Sequence, residues 1–386
     1  MFTLIIFIAV LSLLVFVHEA GHFFVARKFG LNPEEFGFGF PPRAFGIYKS
    51  KDGKWKKIIG GKEVNDASGT IYSVNWVPLG GFVKLGEDDL EVGENKNHFK
   101  NKTILQRALI LSAGVGMNIV LASVLISIGF MFGFPQALNG EPNSRAILSD
   151  QKIQVVQVLP DSPAQRADLK MFDTILSING VEFKTEKELQ AFVNNSAGNE
   201  LEYRIQRENK EITKKIIPEK LAETNKAGVG IAITATGLVR YPWYIAIWEG
   251  IKTTLFLSWA ILIAFFGLIK GLIFGQGLSA DVAGPVGIAS LTGQMARMGF
   301  VYLLQFTAIL SINLAIINFL PFPALDGGRI LFLIIEKIKG SPVKKEIEAM
   351  THNIGFMLLM ILVLVVTFKD ISRFGHVFKA IGEKFF

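Results

Sequence analysis

The 386-residue chain contains no cysteine, and charged residues make up only 19% of it. The absence of thiols excludes disulfides, Cys-ligated zinc fingers, iron–sulfur clusters and thiol nucleophiles, so metal chemistry would have to use histidine and carboxylates. Histidine is itself scarce, at five residues. With 50% hydrophobic residues and a mean hydropathy of +0.40, the shortage of charge argues against an ordinary soluble protein and for a membrane protein. The length is too small for a many-span transporter. A formal charge of +7 would suit a nucleic-acid binder. The basic residues, however, cluster beside apolar runs as the positive-inside rule expects, so membrane lipid is an expected partner and nucleic acid is not.

A helix crossing the hydrocarbon core needs roughly 20 apolar residues. The first such run, Met1 to Val17, leads directly into His18-Glu19-Ala20-Gly21-His22 and a second apolar stretch, Phe23 to Ala26. It lacks the basic start and small-residue cleavage site of a signal peptide, so we expect a retained span. Residues 27–103 are polar, Gly-rich and lysine-rich, the composition of a cytoplasmic loop. Within them, Thr70 to Leu85 reads as a β-hairpin or small sheet around Pro78-Leu79-Gly80-Gly81. Leu105 to Phe134 is a second span whose small residues Gly114, Gly116, Ala122 and Ser123 permit close helix packing.

Residues 150–218 form a soluble α+β module by pattern, with short strands at 153–158, 174–178 and 201–206 and a helix at 186–194. Further apolar segments follow at Trp243 to Phe274, Phe300 to Leu320 and Ile354 to Phe368, with a Pro break at Pro321-Phe322-Pro323 and a helix at 329–338. Lys337, Lys339, Lys344 and Lys345 should share the cytoplasmic side with the 27–103 loop, which requires an even number of crossings between them. Leu105 to Phe134 and Phe300 to Ile335 supply two. Trp243 to Phe274 would make three, so it is expected to lie along the interface or re-enter.

His18 and His22 are four apart, so on a helix they stand on one face and can present two imidazole nitrogens to one metal ion. Glu19, next to the first, points elsewhere and suits a general base that takes a proton from water. As mere interfacial side chains, these three ionisable groups at the end of an apolar helix would cost several kcal/mol. A catalytic zinc site normally has three protein ligands. Asp326 is the best third candidate, because the prolines before it break the helix and leave backbone that must line protein or a wet cavity. A capping role for Asp326 is the alternative. Glu336, His352 and His376 are weaker candidates, lying in basic or amphipathic stretches, and His98 sits in a charged loop.

Together these residues resemble the site-2 protease family of intramembrane zinc metalloproteases, bacterial RseP type, over nearly the whole chain. His18 to His22 resembles the family's zinc-binding helix, and Asn318 to Gly327 its Asn-x-x-Pro-x-Pro-x-Leu-Asp-Gly motif. Trp76 to Leu85 is similar to its cytoplasmic membrane-associated β-segment, and Gly284 to Ile288 to its Gly-Pro segment. Residues 160–183 resemble the centre of a PDZ domain, with Asp168 and Phe172 where glycines are common, and 150–218 has room for one such domain. Gly114 to Asn118 resembles a motif of the second core span, with Val115 where proline is usual.

The resemblance implies Zn2+ held by His18, His22 and Asp326, catalysis by Glu19, and substrate contacts by Asn318 and Asn118. It implies a polytopic α-helical membrane protein of about four transmembrane helices with an inserted α+β PDZ-like domain and the small β-segment. The expected layout is an N-terminal half of the protease core at 1–149, the PDZ-like domain at 150–218, an interfacial connection at 219–299 and the C-terminal half at 300–386. The implied activity is endopeptidase cleavage of single-span membrane substrates, of the anti-sigma-factor or remnant-signal-peptide type, with a peptide or partner protein at the PDZ-like domain. The implied place is a bacterial inner membrane, with that domain outside the cytoplasm and the active site towards it. Two other classes share these features: a surface-acting membrane metalloprotease for quality control, which would cleave loops outside the bilayer, and a non-enzymatic zinc-binding scaffold or transporter, which would tolerate loss of Glu19.

Overall fold

The computed structural model describes residues 2–64, 66–85, 99–138, 145–183, 185–207, 210–220, 227–274 and 283–382, without the side chains of 272–273 and 373–382. Helix α1 (Phe2–Lys28) is followed by strands β1 (Glu35–Lys49), β2 (Trp55–Ile59) and β3 (Ile71–Lys84), a 3-10 turn at Phe99–Asn101 and helix α2 (Ile104–Phe132). Next come β4 (Phe134–Ala137), β5 (Ile147–Val158), α3 (Pro163–Arg166), β6 (Thr174–Ile178), α4 (Glu186–Asn195), β7 (Leu201–Arg207) and β8 (Lys210–Ile216). The short pair β9 (Glu219–Lys220) and β10 (Ala227–Gly228) leads to β11 (Ile231–Arg240). Helices α5 (Trp243–Ile273), α6 (Pro285–Met298), α7 (Phe300–Phe319), α8 (Asp326–Lys339) and α9 (Lys345–Gly382) complete the chain.

Among the described residues, α1, α2, α5, α7 and α9 are long and apolar enough to cross a membrane. The first apolar run and the His-Glu-x-x-His motif lie on one helix. Trp243 to Ile273 is also a single unbroken helix, without the interruption that re-entry would need: it contains no proline, and its charges fall near its ends at Glu249, Lys252 and Lys270.

The chain divides into two compact units. One comprises residues 1–125, 251–296 and 306–386. Its helices α1 and α2 touch where Gly21 lies against the Ala113 carbonyl, so close that any side chain there would collide. Beneath them, Ala26, Leu31, Ile110, Leu111 and Leu333 are buried together with Phe99. The sheet of this unit has the order β2-β1-β3. It is more folded than the hairpin expected from 70–85. β1 and β3 each double back, so that Gly37 stands opposite both Phe82 and Ser73, and Ser73 opposite both Gly37 and Gly46. The sheet is pinned to α1 by aromatic contacts of Phe16 and Phe23 with Phe36, and by Ser12, whose hydroxyl donates to the Pro78 carbonyl at 2.6 Å.

The second unit comprises residues 126–250 and 297–305. Its six-stranded sheet, ordered β4-β11-β5-β6-β7-β8, is antiparallel throughout. Ile153, Val155, Ile175, Leu201, Tyr203 and Ile205 fill its core against Leu189 and Val193 of α4. Thr185 caps α4 by accepting from the Glu188 N–H. The expected limits of 150–218 are too narrow. Strand β11, assigned from sequence to the connecting region, pairs with β5 from Ile231 opposite Val158 to Arg240 opposite Ile147, and β4 adds to its other side. Its sequence IAITATGLVR has too weak an alternation to declare a strand; long-range pairing makes it one. Asp168 and Phe172, which occupy positions where glycine is common, have φ of 59° and 71°, the left-handed region that glycine favours.

Candidate metal centre

Three donor atoms from two distant parts of the chain converge. His18 and His22 project from one face of α1, and Asp326 is the first residue of α8. His18 Nε2 lies 3.2 Å from His22 Nε2 and 3.0 Å from Asp326 Oδ2, and His22 Nε2 lies 3.4 Å from the same oxygen. Both imidazoles are 5% exposed, and Asp326 is largely covered. The three are the group of His and carboxylate side chains among the described residues placed to hold a metal ion.

The surroundings fix the orientation of these rings. His22 Nδ1 donates to the Ile110 carbonyl at 2.8 Å, which leaves the Nε2 lone pair of the neutral ring facing the cluster. Asn118, fully buried on α2, meets His18 Nδ1 at 3.3 Å through its amide nitrogen, while its amide oxygen has no partner. Turning the amide over pairs the orphaned oxygen with an Nδ1–H and frees the Nε2 lone pair of His18 too. Two imidazole lone pairs and a carboxylate would then point at one small volume, an arrangement that repels itself unless a cation occupies the middle. Tetrahedral zinc, with bonds of ~2.0–2.1 Å, separates its ligand atoms by about 3.3 Å, so the observed spacing fits.

Glycines make the space. A Cβ on Gly114 of α2 would sit 2.5 Å from His22 Nε2 and 2.8 Å from His18 Nε2. After α7, the segment Leu320 to Leu325 turns sharply, with Ala324 at a φ of 75°. Gly327 and Gly328 pack directly on the carbonyls of Phe319, Leu320 and Phe322, where a side chain would not fit. This tight turn delivers the Asp326 carboxylate to the histidines. It also brings Asn318 to the same place, its amide nitrogen 3.5 Å from His18 Nε2.

Glu19 is half-buried beside the cluster and near the backbone of Val83 in β3. Gly80, at a φ of 81°, is where β3 passes Val15 of α1 too closely for any side chain, and its N–H donates to Ser12 Oγ at 3.3 Å. The sheet therefore reaches the general-base candidate itself.

The other candidates lie apart. Glu336 pairs with Arg107 at 2.5 Å, and His352 Nδ1 accepts the Ala324 N–H at 2.8 Å. His98 and the side chain of His376 lie outside the described residues. Sequence reasoning treated Gly114 as a helix-packing residue and overlooked the Ile110 carbonyl and Ser311, whose hydroxyl donates to the Asn118 carbonyl at 2.8 Å. A backbone carbonyl carries no sequence signal. Ser311 sits within an apolar run where a buried hydroxyl needs a partner, and that was the signal available.

A His-Glu-x-x-His helix joined to a remote Asp-Gly turn agrees with the family comparison, in which the model described as Peptidase family M50 matches residues 6–362. The chain belongs to peptidase family M50. A Clostridium perfringens protein is 36% identical over 367 residues, covering 93% of this chain and 96% of its own. The regulator of sigma-W protease RasP of Bacillus subtilis is 30% identical over 455 residues, covering 96% and 98%. Protease RseP of Yersinia pestis is 28% identical over 468 residues, covering 97% and 99%. The last two alignments are longer than the chain, so those relatives carry segments that this member lacks. Among solved structures, a PDZ domain of an SdrC-like protein from Listeria innocua is similar, with 24% identity over 21% of this chain and 92% of that one and a TM-score of 0.20.

Proposed function

We propose that this M50 peptidase is a zinc-dependent intramembrane endopeptidase that cleaves single-span membrane proteins. The observation that carries the reading is the convergence of His18 Nε2, His22 Nε2 and Asp326 Oδ2 within bonding range of one cation at the ends of apolar helices. These three residues would hold the metal. Zinc bound there supplies Lewis-acid polarisation of the scissile carbonyl and makes water a nucleophile at neutral pH. Glu19 takes the proton from the attacking water and returns it to the leaving nitrogen. Asn118 holds the His18 ring in its ligating tautomer, a supporting task beyond the substrate contact that the family resemblance suggests. Asn318, at the mouth of the site, hydrogen-bonds substrate backbone.

A substrate helix hides its carbonyls in intrahelical hydrogen bonds and must unwind before cleavage, and unpaired backbone in lipid is costly. The sheet beside Glu19 offers replacement partners. Among the described residues its Gly81–Lys84 half pairs with β1 on one side only and turns the Val83 backbone towards Glu19, so an extended peptide can add there as a strand. The six-stranded module is PDZ-like and binds peptide termini or a partner protein.

The name of the Bacillus subtilis relative, regulator of sigma-W protease, is compatible with anti-sigma-factor substrates for this chain. We place the protein in a bacterial inner membrane with the module outside the cytoplasm and the metal centre towards it. Reconstitution with a single-span test substrate decides between the readings. Wild type should cleave within the span, while Glu19→Gln and chelator-treated protein should not. Cleavage confined to loops outside the bilayer would favour a surface-acting protease, and unaltered function in Glu19→Gln a zinc-binding scaffold.

A further inference from the structure

His352 is not placed to bind the metal, yet it touches the segment on which the third ligand depends. Asp326 follows the sharp turn Leu320 to Leu325, and in that turn Ala324 has a φ of 75°, a left-handed conformation that a side chain disfavours. Two residues before the ligand, the Ala324 N–H donates to His352 Nδ1 of α9 at 2.8 Å. The turn needs such help from outside, because Leu325, which caps α8, offers no side-chain hydrogen bond to the helix start.

A second contact comes from the same helix. Gly355 is three residues after His352, so the two stand on one face of α9. A Cβ on Gly355 would lie 2.5 Å from the Pro323 side chain and 2.6 Å from the Pro323 carbonyl oxygen, so α9 is pressed against the residue before Ala324. The glycine lets the helix approach, and the histidine then reaches the Ala324 amide.

The chemistry of the ring shows which interaction calls for it. With Nδ1 accepting, the proton of the neutral imidazole is on Nε2. That nitrogen is sealed from solvent and has no hydrogen-bond partner, which costs free energy. An apolar side chain of similar size would fill the place beside Phe332, whose ring centroid lies 5.5 Å away, without that penalty. It could not accept the Ala324 N–H.

We propose that His352 is a positioning residue for the metal centre. Its Nδ1, with Gly355 beside it, clamps the left-handed turn at Ala324 and so sets where the Asp326 carboxylate meets His18 and His22. Helix α9 thereby becomes part of the site without supplying a ligand, a role that rests on Asp326 being a zinc ligand.

The test compares His352→Leu with His352→Asn in the full-length protein. The two replacements have nearly the same shape, but only asparagine places an acceptor oxygen near the position of Nδ1. In a chelator competition, His352→Leu should bind zinc about tenfold more weakly than wild type, and His352→Asn should stay within about threefold of it. Ala324→Gly added to His352→Leu should restore most of the loss, since glycine takes the left-handed conformation freely. Hydrogen exchange of the metal-free protein reads the same bond without zinc: the Ala324 amide should be protected in wild type and His352→Asn, and exchange about tenfold faster in His352→Leu. Rapid exchange of that amide in wild type overturns the clamp, and this measurement stands even where a variant fails to fold. Equal zinc affinity in wild type and His352→Leu overturns it too. So does a loss in His352→Asn as large as that in His352→Leu, or a loss that Ala324→Gly does not relieve, because either would make the effect one of helix packing. Asp326→Ala separates the clamp from the ligand reading. If it loses zinc while His352→Leu does not, Asp326 is a ligand and the clamp is wrong; if it binds zinc like wild type, the ligand reading fails and the clamp fails with it.

Discussion

His18, His22 and Asp326 depend on neighbours that have no chemistry of their own, and substitutions can separate the two contributions. Asp326→Ala should lower bound zinc, measured by elemental analysis of the purified protein, together with activity; a full complement of zinc would remove Asp326 from the ligand set. Asn118→Ala leaves His18 Nδ1 without its partner and should weaken zinc affinity about 10–100-fold in a chelator competition, the usual cost of losing a ligand's supporting hydrogen bond. Gly114→Ala should do so at least as strongly, because its methyl group would enter the space of His22 Nε2. Phe172 offers a contrast in which backbone alone matters. At a φ of 71°, Phe172→Gly should be more stable than Phe172→Ala by about 1 kcal/mol in thermal unfolding, since only glycine relieves the left-handed conformation.

The β1–β3 sheet is held by Glu35, nearly buried, which pairs with Arg43. Burial alone would raise the Glu35 carboxyl, but the Arg43 guanidinium outweighs it and holds the group below the usual carboxylate range. A depressed folded-state value means that the pair stabilises fully above the unfolded value near 4.5 and is lost as pH falls through the lower folded value. Protease nicking of the 35–84 region should therefore rise at acid pH in wild type, and Glu35→Gln should be nicked more readily than wild type at pH 7. The two halves of β3 also differ. Ser73 lies in an interior strand, whereas 80–84 is an edge, so Ser73→Pro should disrupt the sheet while Val83→Pro spares it and impairs strand addition. Val83→Pro should slow helical substrates more than pre-unfolded peptides, and Gly or Pro placed near the substrate's cleavage site should speed cleavage. Equal rates on rigid and helix-broken substrates would sink the unwinding mechanism.

For the molecule in its membrane, the disposition of α5 is the decisive element. Its length and composition allow a crossing, while the positive-inside rule applied to the lysines at 337–345 favours an even number of crossings from the 27–103 loop. In this Cys-free chain, single cysteines at Asn195 and Gly299 should react with an impermeant thiol reagent from the outer face, and one at Lys54 from the inner face. Labelling of Gly299 from the inner face would make α5 a span and overturn the parity count.

The residues that converge in the fold were legible because their pattern is local or rare: two histidines a helical turn apart, a glutamate between them, and an aspartate after a double-proline break in an apolar run. The membrane-capable helices were legible because hydrocarbon imposes a length and a composition on any segment that crosses it. Three features came only from tertiary structure. Strand β11 exists through its pairing with β5, 73–93 residues away in sequence. Gly114 makes room for the imidazoles because α1 and α2 approach so closely. Asn118 and the Ile110 carbonyl orient the rings from a helix that begins more than 80 residues after His22. Periodicity reports which face a side chain occupies, but not which distant backbone group it will meet; that was decided by the packing of the helices against one another.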